Sequence, residues 1–300
     1  MEFKDIIGNT KAKDYLIKSI EKNDILHSYL FLGTEGIGKF LIAKEFAKKM
    51  LCLNLNATHC ECKSCKCCES ENHPDLVVIN EENESIKIEQ IRKITGKVIE
   101  KPIISSRKVY IINNSEKMTS EAQNCLLKTL EEPPEFIVVI LISSNENMIL
   151  NTIKSRCMSI KFKNISDKEL RDYAIENIGY TDLTDNLLKS FNGSIGKAIE
   201  LKENKEKYLK IEELISDFEK KDLIDIMLDT KILYDKENIY NILDYVIVCL
   251  HSKNSLRHIN CISEVNNCIK KLKSNSNFDM CVDTMIFNIW EELNEDSNRN

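Results

Sequence analysis

A phosphate-binding loop is the first feature of this sequence whose residue types could do chemistry. Residues 33–39 have the spacing G-x-x-x-x-G-K. In such a loop, consecutive backbone N–H groups curl around a phosphate, while the lysine and the N-terminus of the following helix supply positive charge. The sequence therefore predicts a nucleotide-binding scaffold, with Gly33, Gly36, Gly38 and Lys39 as the candidate contacts.

The groups that would hydrolyse a bound nucleotide are missing. A P-loop holds Mg²⁺ through a Ser or Thr directly after the lysine, but that position is Phe40. The second acidic motif of such proteins follows a strand, and after the predicted strand Lys108–Ile112 the residues are Asn113 and Asn114, which carry no charge. Glu116 lies close by, but the geometry of a strand end argues against it as a replacement. ATP binding is therefore doubtful, and weak binding through Lys39 stays open.

A cluster of cysteines is the second feature with chemical meaning. Six of the twelve cysteines fall in one short stretch: Cys52, Cys60, Cys62, Cys65, Cys67 and Cys68. In a reducing compartment such clustering indicates metal binding rather than disulfides. Cys62 and Cys65 form a C-x-x-C pair, Cys68 repeats that spacing, and Cys52 completes four thiolates for a structural zinc. Cys60 is the alternative to one of these ligands, and His59 also stays open.

The elements that must position these residues follow from hydrophobic patterning. Up to about residue 165, short apolar segments typical of strands alternate with segments of helical periodicity. The segment Phe136–Ile142 is continuously apolar, as expected of a central strand covered on both faces. Ser143 and Ser144 follow this strand, at the edge where open parallel sheets place their ligands. From Ser166 to Leu293 the pattern is helical throughout. The sequence predicts an α/β domain with a parallel sheet, followed by an all-α region.

Composition excludes several classes of protein. The chain has 42% hydrophobic and 30% charged residues, a formal net charge of −6 and a pI near 5.6. An acidic chain does not coat nucleic acid by bulk electrostatics, because that requires clustered Lys and Arg. The longest apolar run is far too short to cross a bilayer, and the first residues do not form a signal peptide. These observations predict a cytoplasmic protein without a membrane partner.

Several short motifs together resemble the bacterial clamp-loader branch of the AAA+ superfamily over nearly all of the first 200 residues. They are the P-loop, the cysteine insertion after its helix, His73-Pro74-Asp75, the stretch Leu126–Pro133 and Ser155-Arg156-Cys157. The resemblance implies a RecA-like AAA+ domain over residues 1–165, with a zinc module at about 52–68. It further implies a helical lid domain at 166–203, a helical C-terminal collar (oligomerisation) domain at 204–293, and a polar tail at 294–300.

The resemblance also implies partners and a catalytic residue. The family's Ser-Arg-Cys motif places an arginine finger in the ATP site of the neighbouring subunit, and in this sequence that residue is Arg156. The alternative is a surface arginine that caps a helix C-terminus. The implied partners are the gamma/tau and delta subunits of the DNA polymerase III clamp loader in a pentameric ring, and, through that complex, the sliding clamp and primer-template DNA.

Departures from the family pattern indicate which kind of subunit this is. Hydrolysing subunits keep the P-loop Ser or Thr, the Asp-Glu pair and an arginine after Gly-Ser in the lid, whereas this chain has Phe40, Asn113 with Asn114, and Gly196. The resemblance is therefore closest to a non-hydrolysing, accessory subunit of the holoenzyme. Two alternatives are a hydrolysing motor subunit of the gamma/tau type and a zinc-dependent nucleic-acid-binding protein. The gap from Cys52 to Cys62 is one residue longer than is usual for the family, so Cys60 is the candidate to replace Cys52.

Overall fold

The computed structural model describes residues 3, 6–54, 60–80 and 84–294. The chain forms two compact units. The first unit comprises Met1–Glu169 together with Ser194–Gly196, and the second comprises Leu170–Gly193 together with Lys197–Asn300. The finer division into a lid at 166–203 and a collar at 204–293 stays a prediction.

The first unit is built on a parallel β-sheet. Its five strands are β1 (Ser28–Leu32), β2 (Leu76–Ile79), β3 (Lys108–Ile112), β4 (Ile137–Ser143) and β5 (Met158–Lys161). Their order in the sheet is β2-β3-β4-β1-β5, and every described pairing is parallel. The parallel α/β sheet predicted from the alternating pattern is confirmed.

Helices cover this sheet. They are α1 (Thr10–Glu21), α2 (Lys39–Leu51), α3 (Lys63–Glu69), α4 (Ile88–Lys97), α5 (Ser120–Glu131) and α6 (Asn151–Lys154), with short 3₁₀ turns at Ser115–Lys117 and Glu146–Met148.

The two faces of the sheet carry separate apolar clusters, because side chains alternate along each strand. On one face, Phe31 of β1 and Ile140 of β4 pack against the buried sides of α1 and α2. On the other face, Leu30 and Leu141 pack against α4 and α5. Strands β1, β3 and β4 are consequently buried along their whole length, and their carboxyl ends are held in fixed positions at one edge of the sheet.

Helix α5 shows how the local sequence sets an element that the site needs. Thr119 caps its N-terminus by accepting a hydrogen bond from the Ala122 N–H at 3.3 Å. Ala122, Leu126 and Leu130 recur every fourth residue and are buried, so one stripe of the helix faces the core. The helix ends at Glu131, shortly before Pro133, since residues preceding a proline disfavour the helical region.

The described residues from 167 to 294 form helices and the turns between them, as predicted, and the tail predicted at 294–300 lies, after Asn294, outside the described residues. The elements are α7 (Asp167–Tyr173), which continues into a π-helical turn (Ala174–Ile178), α8 (Asp185–Ser190), α9 (Ile195–Glu203), α10 (Lys205–Asp217), α11 (Leu223–Asp229) with a 3₁₀ turn (Thr230–Leu233), α12 (Ile239–Ser252), α13 (Leu256–Lys273) and α14 (Phe278–Asn294). Across the described residues, no helix has both the length and the apolar character that a membrane span requires.

Candidate functional site

The glycine loop lies between β1 and α2, at the carboxyl end of a central strand. Gly36 and Gly38 have φ values of 75° and 90°, in the left-handed region that favours glycine. A Cβ atom on Gly36 would lie 2.1 Å from the Ser194 Oγ, and the Gly36 carbonyl accepts a hydrogen bond from the Gly196 N–H at 3.0 Å. The loop is therefore packed against the backbone of the segment in which the resemblance expects the lid arginine of hydrolysing subunits.

Lys39 is bound by the loop itself. Its side chain is buried, and its Nζ donates hydrogen bonds to the carbonyl oxygens of Gly33 at 2.5 Å and Thr34 at 2.6 Å. Burial lowers the pKa of Lys39 to about 8, although the negative charges of Glu116 and Glu35 oppose this shift. A phosphate entering the loop would have to displace these two carbonyl contacts to reach the ammonium group.

The positions expected to hold Mg²⁺ and to activate water carry no suitable group. Phe40 begins the buried side of α2, and its ring packs against the apolar core while the Lys44 Nζ lies 4.8 Å from the ring centroid. Asn113 and Asn114 follow β3 directly, and Asn114 adopts a left-handed backbone with φ 48°. Neither side chain can supply a carboxylate at the end of this strand.

Glu116 is a residue whose place in the site the sequence did not reveal. Its Oε1 accepts hydrogen bonds from the Ser144 Oγ at 2.5 Å and the Ser144 N–H at 3.3 Å, at the end of β4. Its Oε2 is buried without a hydrogen-bond partner among the described residues, and its charge acts on Lys39. The sequence offered one indication of this role, which was the presence of a carboxylate shortly after the position of the expected acidic motif.

The cysteine stretch forms a compact group next to the end of α2. The Sγ atoms of Cys52, Cys60, Cys62 and Cys65 all lie within 4.8 Å of one another. Four thiolates around a tetrahedral zinc, with Zn–S bonds of about 2.3 Å, have sulfur atoms about 3.8 Å apart. These residues can therefore hold a structural zinc after a small contraction, and their four thiolates leave no open position for catalysis.

This group differs by one residue from the set predicted by sequence. Cys60 joins Cys52 instead of replacing it, and Cys68 lies outside the group. Cys62 caps α3 in an extended conformation, so the chain before it brings Cys60 back beside Cys65. Cys68 lies one turn further along α3 and packs against the core, where burial raises the pKa of its thiol to about 11. His59 lies outside the described residues.

The His73-Pro74-Asp75 motif ties this cysteine module to the sheet. The fully buried Asp75 carboxylate accepts hydrogen bonds from three successive N–H groups, those of Ile103 at 2.6 Å, Ile104 at 2.8 Å and Ser105 at 2.9 Å. Burial raises the pKa of Asp75, but these bonds outweigh it and hold the pKa below its usual value. The motif is therefore a structural anchor, and the sequence alone had shown only that it matches the family.

The second half of this anchor is His73. Its Nδ1 accepts a hydrogen bond from the Asp75 N–H at 3.0 Å, so the proton of the neutral ring is on Nε2, which lies 2.9 Å from the Ser64 Oγ. Ser64 in turn donates to the Leu51 carbonyl at 2.7 Å. This chain of bonds joins α3, the end of α2 and the start of β2.

Arg156 lies just after α6 with its side chain partly exposed. Its Nη1 donates to the Thr152 carbonyl at 2.9 Å, and its Nη2 lies 2.7 Å from the Glu131 Oε1. The hydroxyl of Ser28 on β1 donates to the Arg156 carbonyl at 2.6 Å, which fixes the main chain. The bond to Thr152 is the helix-capping contact named above as the alternative, and it coexists with an accessible guanidinium.

Comparison with known protein families assigns the chain. A family model described as "DNA polymerase III, delta subunit" matches residues 8–166, which is more than half of the chain. The chain belongs to the DNA polymerase III delta subunit family. The matched residues include the P-loop, the cysteine group, the His-Pro-Asp anchor and Arg156, whereas Ser194 and Gly196, which pack against the P-loop, lie beyond the matched region.

Individual relatives of this family member fall into two types. The chain is 38% identical over 192 residues to DNA polymerase III subunit delta' of Bacillus subtilis, covering 64% of this chain and 58% of the relative. It is 34% identical over 207 residues to subunit tau/gamma of Haemophilus influenzae, covering 66% of this chain and 30% of the relative. The chain thus spans less than three fifths of the length of either relative.

A solved structure shares the fold. A DNA polymerase III gamma subunit-related protein from Thermotoga maritima superposes with a TM-score of 0.54 at 19% identity, covering 93% of this chain and 99% of that chain. At 19% identity, this similarity shows that the two chains share a fold and carries no conclusion about function.

Proposed function

We propose that this chain is a clamp-loader subunit of DNA polymerase III that does not hydrolyse ATP itself. It is of the delta-prime type, occupies one place in a pentameric ring with gamma/tau and delta subunits, and donates Arg156 to the ATP site of a neighbour. Through the ring it helps to place the sliding clamp on primer-template DNA.

The observation that carries this proposal is the state of the P-loop. Phe40, Asn113 and Asn114 leave no side chain that could hold Mg²⁺ or deprotonate water at the expected positions. The ammonium group of Lys39 is bound by two carbonyls of its own loop, and Gly196 stands where the resemblance expects the lid arginine of hydrolysing subunits. Each of these features removes part of the machinery of phosphoryl transfer.

Two features of Arg156 support a role in the ATP site of a neighbouring subunit. Its main chain is fixed on β1 through Ser28, and its side chain keeps 35% of its surface exposed. A guanidinium inserted into a neighbouring ATP site stabilises charge on the γ-phosphate, and arginine fingers are worth about 10³-fold or more in rate.

A structural zinc held by Cys52, Cys60, Cys62 and Cys65 belongs to the same proposal. All four ligands would be thiolates, which leaves no open coordination position, and the group lies at the opposite end of α2 from Lys39. Its role is to stiffen the region that the His73–Asp75 anchor joins to the sheet.

The second candidate function is a hydrolysing subunit of the gamma/tau type. One observation favours it: the free carboxylate oxygen of Glu116 lies at the carboxyl edge of the sheet, and its charge acts on Lys39. The similarity to tau/gamma relatives at 34% identity agrees with either type.

Steady-state ATP hydrolysis by the purified chain separates the two candidates. The assay includes Mg²⁺ and primed DNA, with Lys39→Ala as the background control and Glu116→Gln as a second variant. We expect all three proteins to hydrolyse ATP at the same background rate. A rate that is clearly above the Lys39→Ala control and is lost in Glu116→Gln would establish a motor subunit, with Glu116 as the residue that activates water.

A further inference from the structure

The ion pair between Glu131 and Arg156 joins two motifs that are far apart in sequence. The Arg156 Nη2 lies 2.7 Å from the Glu131 Oε1, and the Nη1 is held by the Thr152 carbonyl at 2.9 Å and, more weakly, by the Ser155 Oγ at 3.4 Å. Both terminal nitrogens of the guanidinium therefore have an acceptor within the chain. The two side chains keep 35% and 47% of their surface exposed, so the guanidinium is held and yet reachable.

Glu131 is poorly placed to stabilise its own helix. It is the last residue of α5, where the helix dipole is negative and disfavours a carboxylate. Its side chain instead reaches the guanidinium of Arg156, whose positive charge offsets this unfavourable position. This carboxylate therefore contributes through its ion pair with Arg156 rather than through the stability of α5.

Helix α5, which carries Glu131, is bonded to the segment that leads through α6 to Arg156. The Gln123 side chain in α5 donates from Nε2 to the Met148 carbonyl at 2.9 Å, and its Oε1 accepts from the Leu150 N–H at 2.9 Å, directly before α6. Leu126 and Leu130 bury α5 in the core. Glu131 is therefore a fixed acceptor relative to the backbone that bears Arg156.

We propose that Glu131 is a positioning residue for Arg156. It holds one terminal nitrogen of the guanidinium while the Thr152 carbonyl holds the other, so the remaining N–H donors are pre-organised to meet a phosphate presented by a neighbouring subunit. This inference rests on the proposed role of Arg156 as a trans-acting residue. The half-exposed pair is weak enough to leave the guanidinium mobile over short distances.

The size of the effect follows from this exposure. Exposed ion pairs are worth little, so we expect Glu131→Gln to lower the rate constant of ATP hydrolysis by the assembled loader about two- to fivefold. The KM for ATP should not change, because Glu131 does not contact nucleotide and acts only through the orientation of Arg156. Glu132→Gln is the matched control: it removes the adjacent carboxylate, which is exposed and has no ion pair among the described residues.

The test uses the whole loader, reconstituted from the subunits of the same organism. Its kcat and KM for ATP are measured with the unaltered chain, Glu131→Gln, Glu132→Gln, Arg156→Ala and the double variant Arg156→Ala with Glu131→Gln. Thermal unfolding of each purified chain confirms that it is folded. We expect Glu131→Gln to have no further effect once Arg156 is absent, because a residue that acts only through Arg156 is not additive with it.

Each outcome has a distinct meaning. Equal rates for Glu131→Gln and Glu132→Gln would overturn the positioning role while leaving the function of Arg156 intact. A faster rate in Glu131→Gln would also overturn it, because Glu131 would then hold Arg156 away from the phosphate. A loss of the same size with and without Arg156 would show a general structural effect and refute the inference. An unchanged rate in Arg156→Ala alone would remove the proposed arginine finger itself.

Discussion

Replacing Cys60 with Ser should release zinc from this chain, whereas replacing Cys68 with Ser should leave zinc bound. The structure places Cys60 with Cys52, Cys62 and Cys65 inside a group whose sulfur atoms lie within 4.8 Å of one another, and it leaves Cys68 outside that group. Both substitutions exchange a thiol for a hydroxyl of similar size. They therefore differ in metal binding and hardly at all in volume.

The expected magnitude follows from the number of ligands. Structural zinc sites bind with about 10–16 kcal/mol, so one of four thiolates contributes about 2.5–4 kcal/mol if the shares are equal. At about 1.4 kcal/mol for each factor of ten, Cys60→Ser should weaken zinc binding about 60- to 700-fold. Cys68→Ser should change the affinity by less than about threefold, because Cys68 packs against the core and lies outside the group of four cysteines.

The assay combines metal analysis with chelator competition. Freshly reduced, unaltered protein should contain about one zinc per chain, and titration with a chromogenic chelator then gives the relative affinities of the two variants. Zinc retained by Cys60→Ser and lost from Cys68→Ser would refute the proposed ligand set of Cys52, Cys60, Cys62 and Cys65 and favour the set with Cys68. Absence of zinc from the reduced, unaltered chain would refute the metal site as a whole.

Three further predictions concern the rest of the first unit. Arg156→Ala should slow ATP hydrolysis about 10³-fold at the neighbouring site that receives Arg156, and so lower the turnover of the reconstituted loader, while leaving zinc content and thermal unfolding of the chain unchanged; an unaltered turnover rate would exclude the arginine finger. Asp75→Asn should lower the free energy of unfolding by about 2–4 kcal/mol at pH 7, since three N–H groups lose a buried carboxylate acceptor. The pKa of Asp75 is lowered in the folded chain, so this stabilisation is fully present above the pKa of an unfolded Asp, about 4, and is lost as the pH falls through the lower folded pKa. In urea unfolding, the loss of stability caused by Asp75→Asn should therefore be smaller at pH 3 than at pH 7. An equal loss at both pH values would contradict the hydrogen-bonding account. Gly36→Ala should destabilise the chain by about 1–3 kcal/mol, because its φ is 75° and its Cβ would approach the Ser194 Oγ to 2.1 Å; equal unfolding midpoints for this variant and the unaltered chain would show that the loop does not pack against Ser194.

The parallel sheet and the P-loop could be predicted from the sequence because their signals are local. Strand β3 has the bounds predicted for it, Lys108–Ile112, and ends with its apolar run, while α2 begins at Lys39, directly after the glycine spacing. The absence of a carboxylate at Asn113 and Asn114 is equally direct, since a missing functional group can be recognised from residue type in any fold. These features already indicated a nucleotide-binding scaffold without its usual hydrolytic groups.

The exact membership of the cysteine group could not be predicted in the same way. Spacing offered Cys62, Cys65 and Cys68 as a regular series, but α3 begins at Lys63, so the last of these lies a further turn along a helix and packs against the core. The chain before Cys62 instead brings Cys60 to the group. Spacing alone does not say where a helix begins, and here that boundary decides which sulfur atoms meet.

The sequence by itself determined which chemical groups this chain possesses and the order of the elements that carry them. Only the tertiary structure decided which of those groups meet: Glu116 with Ser144, Asp75 with the backbone before β3, and Glu131 with Arg156. The physical reason is that periodicity and spacing report contacts within one strand or helix. These three contacts instead join separate elements, and their distances are set by how the helices pack on the two faces of the sheet.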